Sequence, residues 1–420
     1  VAGLRTPFAK ANTALKELTS VELGVLAVRE LVERTELDLT SLDLVVFGQV
    51  IPTPLCTSVA REVVLRSGLP KRVQAHTVSR ACATSVQAIT DAADQIALGH
   101  ADVAIAGGTE AMSDPPIFAS RALAHALAEL QRAKTGLDKA KVLGRLSLGD
   151  LAPVPPALRE PTTGLLMGDS AEKMAKENGI SREAQDRFAY GSHRRATAAI
   201  EAGKLKDEVM VVRLPPDFEQ VVDRDNLVRP DTTLEALAKL GPVFDRRHGT
   251  VTAGNSSPLT DGAAAVLLMS EERCRAMGIK PLGFLRSYAY AALDPGEQLL
   301  MGPAYAAPMA LERAGMTLQD VTLVDMHEAF AAQCLSNLQG FASKKFAEQK
   351  LGRSAPLGEI DPERLNVNGG SIALGHPFGA TGARMVTQTL RELGRRGGGT
   401  ALLTLCAAGG LGAAVVVEAD

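Results

Sequence analysis

Three features of the 420-residue chain predict an α/β architecture with buried strands. Short apolar runs alternate with helical stretches, as strands and crossover helices do in parallel sheets. Glycine is abundant, at 39 residues, and it collects at strand ends, where it permits tight turns and close backbone approach. Two distant stretches also share one layout of small-residue helix, glycine, strand and Gly-Gly, a hint of internal duplication.

Along the chain, Ser20–Thr35 reads as a helix and Leu44-Val45-Val46-Phe47 as a strand. From Cys82 a helix runs to Leu98, with Val86, Ile89, Ala93 and Ile96 at helical spacing and alanines on the other faces, so burial on most sides is expected. Gly99, the strand Val103–Ala106 and Gly107-Gly108 follow. Residues from about Ile117 to Pro242 carry much of the charge and read as an insertion. Within it Phe118–Arg145 is amphipathic: a surface helical hairpin, or an element that docks on a membrane or partner. Strand character returns at Asp261–Val266 and Leu323–Met326. The second copy of the layout then runs as a helix from Ala380 to Leu393, the strand Ala401–Leu405 and Gly409-Gly410.

Composition narrows the function. A net charge of −3 argues against nucleic acid as the main partner. Hydrophobic residues at 46% exclude a disordered chain. Five widely spaced cysteines with no C-x-x-C argue against a disulfide framework or a zinc site, and a reducing, intracellular compartment is the expectation. No apolar run is long enough to span a bilayer. No signal peptide is visible, though the non-Met start allows for a segment before Val1.

Four segments carry candidate chemistry. Cys82 stands where a helix of small residues begins, and a helix N-terminus lowers a thiol pKa; a buried structural cysteine is the plainer alternative. His376 sits in the glycine-dense stretch Asn368–Gly382, which matches neither the dinucleotide nor the P-loop pattern. Cys406 leaves a buried strand into Ala407-Ala408-Gly409-Gly410, and Met326-His327-Glu328-Ala329-Phe330 again follows a strand. Strand ends are where α/β sheets gather reactive groups.

Together these segments resemble the thiolase superfamily over essentially the whole chain. Gly107-Gly108-Thr109-Glu110-Ala111-Met112-Ser113, Met167-Gly168 and Asn255–Gly262 belong to the same likeness. His327-Glu328-Ala329-Phe330, Cys406-Ala407-Ala408 and the long insert bring the chain nearest to the thiolase subunits of bacterial fatty-acid oxidation complexes. The resemblance implies two duplicated βαβαβαββ core domains in a five-layer α-β-α-β-α sandwich with an inserted loop domain. Residues 1–116 and 245–276 would form the N-terminal core, 117–244 the loop domain and 277–420 the C-terminal core.

It also implies 3-ketoacyl-CoA thiolysis by a ping-pong route, with Cys82 as nucleophile, Cys406 as acid and base, and His376 activating Cys82 and contributing to an oxyanion hole. His327 would hold a water there, or donate directly. Backbone N–H groups of Cys82 and Ala408 would form a second hole. Met167, Phe244 and Ser257 would lie near the pantetheine arm, each having a plain packing or turn alternative. Coenzyme A is the implied co-substrate, with no tightly bound cofactor and no metal. The implied assembly is a homodimer core within a heterotetramer that includes an enoyl-CoA hydratase/3-hydroxyacyl-CoA dehydrogenase subunit. Location would be cytoplasmic, with contact to the inner membrane through the 117–156 insert. Alternatives are an acetoacetyl-CoA thiolase, a biosynthetic condensing enzyme of the superfamily, or a non-catalytic lipid-binding relative. Cys56, Cys274 and Cys334 lack motifs and read as packing residues.

Overall fold

The computed structural model describes residues 2–156 and 159–420. The first half runs β1 (Ala2–Arg5), α1 (Ser20–Thr35), β2 (Leu44–Gly48), α2 (Val59–Arg66), β3 (Gln74–Val78), α3 (Thr84–Ala97) and β4 (Val103–Glu110). The insertion then supplies α4 (Arg121–Arg132), α5 (Gly136–Leu143), α6 (Met167–Glu177) and α7 (Arg182–Glu201). β5 (Thr260–Met269) returns to the first sheet. The second half contains β6 (Phe284–Ala292), α8 (Gly302–Ala314), β7 (Leu323–Met326), α9 (Ala331–Ala342), α10 (Thr381–Arg395), β8 (Gly399–Ala407) and β9 (Leu411–Ala419).

The duplication is explicit in the sheets. The first has strand order β1-β5-β4-β2-β3, and the second β6-β9-β8-β7. Apart from the short strand Ala9–Lys10, which pairs antiparallel with β5, in each the first strand pairs antiparallel with the last, the last pairs antiparallel with the one before it, and the remaining pairings are parallel. The counterpart of β3 is reduced to a parallel bridge between Val324 and Leu365. There the Asn366 side chain replaces the ladder. Its amide accepts from Met326 N–H at 2.7 Å and donates to Met326 C=O at 2.9 Å, so the strand edge is satisfied without a further strand.

Period-two alternation builds the layers. Val45, Phe47, Val103, Ile105, Ala263 and Ala265 face α1 and α2, while Val46, Ala104, Ala106 and Val266 face α3 and α10. From the other side Leu403, Leu405, Ala413 and Val415 meet the same central helices. Leu402, Ala414 and Val416 turn outward to α8 and α9. The result is the five-layer α-β-α-β-α sandwich. Glycine lets the halves touch backbone to backbone: a Cβ on Gly108 would lie 2.0 Å from the Gly379 carbonyl oxygen, and one on Gly379 would lie 2.4 Å from that of Thr109.

The insertion is anchored by buried charge. Arg5 pairs with Glu208 at 3.1 Å and Asp225 at 2.7 Å, and Asp225 also accepts the Phe8 N–H. Its α4–α5 hairpin is different, exposing Ile117, Leu137, Leu143 and, at 89%, Leu148. Among the described residues no helix is long and apolar enough to cross a membrane.

Candidate active site

Cys82 lies on the turn joining β3 to α3, two residues before the helix starts at Thr84. The preceding Ala81 has φ +44°, a left-handed conformation that an L-residue adopts only under constraint. Thr84 Oγ1 accepts the Arg80 N–H at 2.7 Å, and Ala83 N–H donates to Arg80 C=O at 3.0 Å, closing the turn. The turn leaves Cys82 half-buried, with the backbone N–H groups of Cys82 and Ala408 beside its sulfur.

The thiol is not the depressed one expected of a helix N-terminus. Burial pushes it up to about 12, the two N–H donors oppose this, and the Glu110 charge adds to the rise. The helix begins too late, and the site is too dry, for its dipole to win. Cys82 is therefore a neutral thiol until something takes its proton.

His376 is placed to do so. Its Nδ1 lies 2.7 Å from Thr381 Oγ1, the first residue of α10, and that hydroxyl donates to Pro377 C=O at 3.0 Å. With its one proton spent, Thr381 accepts from Nδ1–H, which leaves a lone pair on Nε2. Among the described residues that Nε2 is buried without a partner. Burial, then the Arg384 charge, push His376 down to about 3, so the ring is neutral. Its own N–H donates to Thr260 Oγ1 at 3.0 Å, fixing the loop to β5.

His327 lies beside it, ring centroids 4.1 Å apart, with Nε2 likewise buried and unpartnered. Burial, then His376 and Arg384, hold its pKa well below the usual range. Donor atoms of Cys82, His327 and His376 all lie within 4.8 Å of one another. Such a group could hold a soft cation, but two neutral imidazoles around a neutral thiol equally suit proton transfer.

Cys406, near the end of β8, is fully buried. Burial raises its thiol well above normal, and a charge on Cys82 would raise it further. Ala408 follows at the turn. Beyond it Gly409 N–H donates to the insert's Glu160 at 2.9 Å, so the inserted segment reaches the Cys406 turn.

Met167, Phe244 and Ser257 converge on the residues after His327. Ser257 N–H donates to Ala329 C=O at 2.9 Å, and Phe244 meets Phe330 edge-on at 6.2 Å. Met167 opens α6 and, with Phe244 and Phe330, packs half-buried against one apolar cluster. All the candidate residues thus lie on loops or near element ends around one junction of the halves and the insert.

The sequence did not single out two buried carboxylates that brace these loops. Glu110 accepts from Val50, Ile51 and Gly379 N–H groups, tying both halves together. Glu328 accepts from Ser192, Asn366 and Ile372, tying the insert to the His327 and His376 loops. An acidic residue ending or just following an apolar strand was the available signal. Cys334, read as a plain core residue, lies under the site, its Sγ 3.5 Å from the His327 carbonyl.

The family models for the thiolase N-terminal domain and thiolase C-terminal domain match residues 1–272 and 279–419. The chain belongs to the thiolase family. Curated thiolase relatives include a 3-ketoacyl-CoA thiolase of Shewanella sp. (strain W3-18-1), 53% identical, and one of Serratia proteamaculans (strain 568), 55% identical. Each alignment covers 100% of this chain and 96% of the relative. Among solved thiolase-fold structures, human mitochondrial 3-ketoacyl-CoA thiolase matches with a TM-score of 0.84 at 33% identity. An acetyl-CoA acetyltransferase of Bacillus anthracis matches with 0.82 at 36%. Both comparisons cover 100% of this chain and 98% of the other.

Proposed function

We propose that this chain is the 3-ketoacyl-CoA thiolase of a fatty-acid β-oxidation system, cleaving 3-ketoacyl-CoA with CoA to acetyl-CoA and a shortened acyl-CoA. The observation that carries the residue roles is the cluster of Cys82, His327 and His376, whose donor atoms all lie within 4.8 Å of one another, with His376 Nε2 buried and unpaired among the described residues. His376 Nε2 takes the Cys82 proton as sulfur attacks the C3 ketone. The N–H groups of Cys82 and Ala408 hold the resulting oxyanion, already oriented before charge develops. The C2–C3 bond breaks, its electron pair passes to the enolate of acetyl-CoA, and Cys406 delivers a proton to C2. The acyl group stays on Cys82 as a thioester. CoA then gives its thiol proton to Cys406, its sulfur attacks the thioester, and Cys82 leaves to recover its proton from His376. Protonated His376 and His327 face the enolate oxygen. Met167, Phe244 and Ser257 border the pantetheine arm, under a loop domain spanning 117–244.

CoA is a co-substrate in this reading, and no tightly held cofactor or metal is required. The working assembly is a homodimer within a heterotetramer containing a hydratase/dehydrogenase subunit, in the bacterial cytoplasm. The exposed apolar side chains of the 117–156 insert make its peripheral contact with the inner membrane.

Replacing Cys82 by Ser tests the roles. Rapid quench with a 3-ketoacyl-CoA and mass spectrometry should show an acyl adduct on wild type and none on Cys82→Ser. Turnover should fall by about 10⁴-fold or more, with an unchanged melting temperature. An adduct of wild-type amplitude in the variant defeats the assignment.

A further inference from the structure

The two imidazoles are held at Nδ1 by different hydroxyls, and the hydroxyls are in different states. Thr381 gives its proton to Pro377 C=O, so it accepts from His376. Ser371 Oγ lies 3.0 Å from His327 Nδ1 and 3.0 Å from Arg384 Nη2. A guanidinium only donates, so the Arg384 contact uses the Ser371 oxygen as acceptor. The Ser371 hydroxyl proton remains, and among the described residues its acceptor is His327 Nδ1. Ser371, His327 and Arg384 are all buried, so bulk solvent offers no substitute. The reverse arrangement, His327 Nδ1–H donating to Ser371, would strand the hydroxyl proton in a dry site. It would also aim two Nε2 lone pairs into one small space.

We propose that Ser371, oriented by Arg384, is a positioning residue that locks His327 in the tautomer protonated on Nε2. The pair then presents one lone pair, on His376, and one N–H, on His327. His376 takes the Cys82 proton, and His327 donates directly to the enolate oxygen without a bridging water. Arg384 is held in turn by Gln388 at 3.0 Å, and Asp325 lies 3.7 Å away. Ser371 thus acts through His327 and touches no substrate. The inference rests on the residue roles proposed above.

A double-mutant cycle combined with histidine NMR tests it. The chain has seven histidines, so ¹⁵N-histidine labelling with His327→Asn and His376→Asn assigns both rings. Wild type should show an unprotonated, pyridine-type nitrogen at Nδ1 of His327 and at Nε2 of His376. Ser371→Ala should lower kcat by about tenfold or more, with KM changed less than about twofold. An asparagine amide needs no tautomer to donate, so in the His327→Asn background Ser371→Ala should cost less than about twofold. Ser371→Thr, which keeps the hydroxyl, should restore much of the loss. A pyridine-type Nε2 on His327, or an equal Ser371→Ala loss in both backgrounds, overturns the proposal. Wild-type turnover in His327→Ala instead defeats the underlying role of His327. The wild-type spectrum decides the tautomer even if Ser371→Ala fails to fold.

Discussion

The two halves share one strand order but do different work at equivalent places. Before α3 the first half places Cys82 on a strained turn, and before α10 the second half places His376 on a glycine-rich loop. At the end of β4 the buried ionisable group is Glu110, which binds three backbone N–H groups. Near the end of β8 it is Cys406, whose thiol proton has no such partner set. In the proposed mechanism one copy supplies a nucleophile and a brace, the other a base and an acid. Duplication delivered the same positions twice, and the chemistry comes from filling them differently.

The largest perturbation of this division is Cys406→Ser. Cys82 and its base remain, so Cys82 should still acylate slowly, while overall thiolysis falls by about 10²–10⁴-fold. Single-turnover quench separates the two steps. Wild-type turnover would mean that the second half does not supply the acid.

Next comes the seam between the halves. Gly379→Ala places a Cβ against the Thr109 carbonyl, 2.4 Å away and on rigid backbone, and should destabilise by about 1–3 kcal/mol in denaturant titration. Gly394→Ala is its control. That glycine is exposed near the end of α10 with nothing within 4 Å, so the same change should stabilise by about 0.5–1 kcal/mol. Equal effects at both sites would show that the halves are not in register through backbone contact.

The last effect is electrostatic. Burial raises the Glu110 carboxyl to about 8, against the pull of its three amide donors. The folded protein then binds this proton more tightly than the unfolded chain does. Its contribution to stability is complete below the ordinary carboxyl pKa near 4.5 and is lost as pH rises through about 8. Melting temperature against pH, wild type compared with Glu110→Gln, should show that slope only in wild type.

Local pattern made much of this legible in the sequence. The helix Ser20–Thr35 and the strand Leu323–Met326 match their expected bounds because strong apolar runs end at clear caps and turns. Cys82, His376 and Cys406 stood out because glycine or small residues surround each, and His327 because a strand ends beside it. What stayed hidden depends on pairs distant in the chain. The dryness that reverses the expected fall in the Cys82 pKa comes from segments packed around it. Asn366 standing in for a strand edge, and Ser371 meeting Arg384, have no local periodicity to announce them. Glu110 and Glu328 lie inside the recognised motifs, yet each takes its partners from segments distant in the chain.

Gly48, Gly108 and Gly379 meet where the halves join. Two main chains in direct contact act as a mechanical stop, so the gap between the Cys82 and His376 loops does not depend on how well any side chain packs. Substitutions elsewhere in either core can accumulate without detuning that gap. The permission ends at two hydrogen atoms, on Gly108 and Gly379, standing where a methyl group would wedge the loops apart.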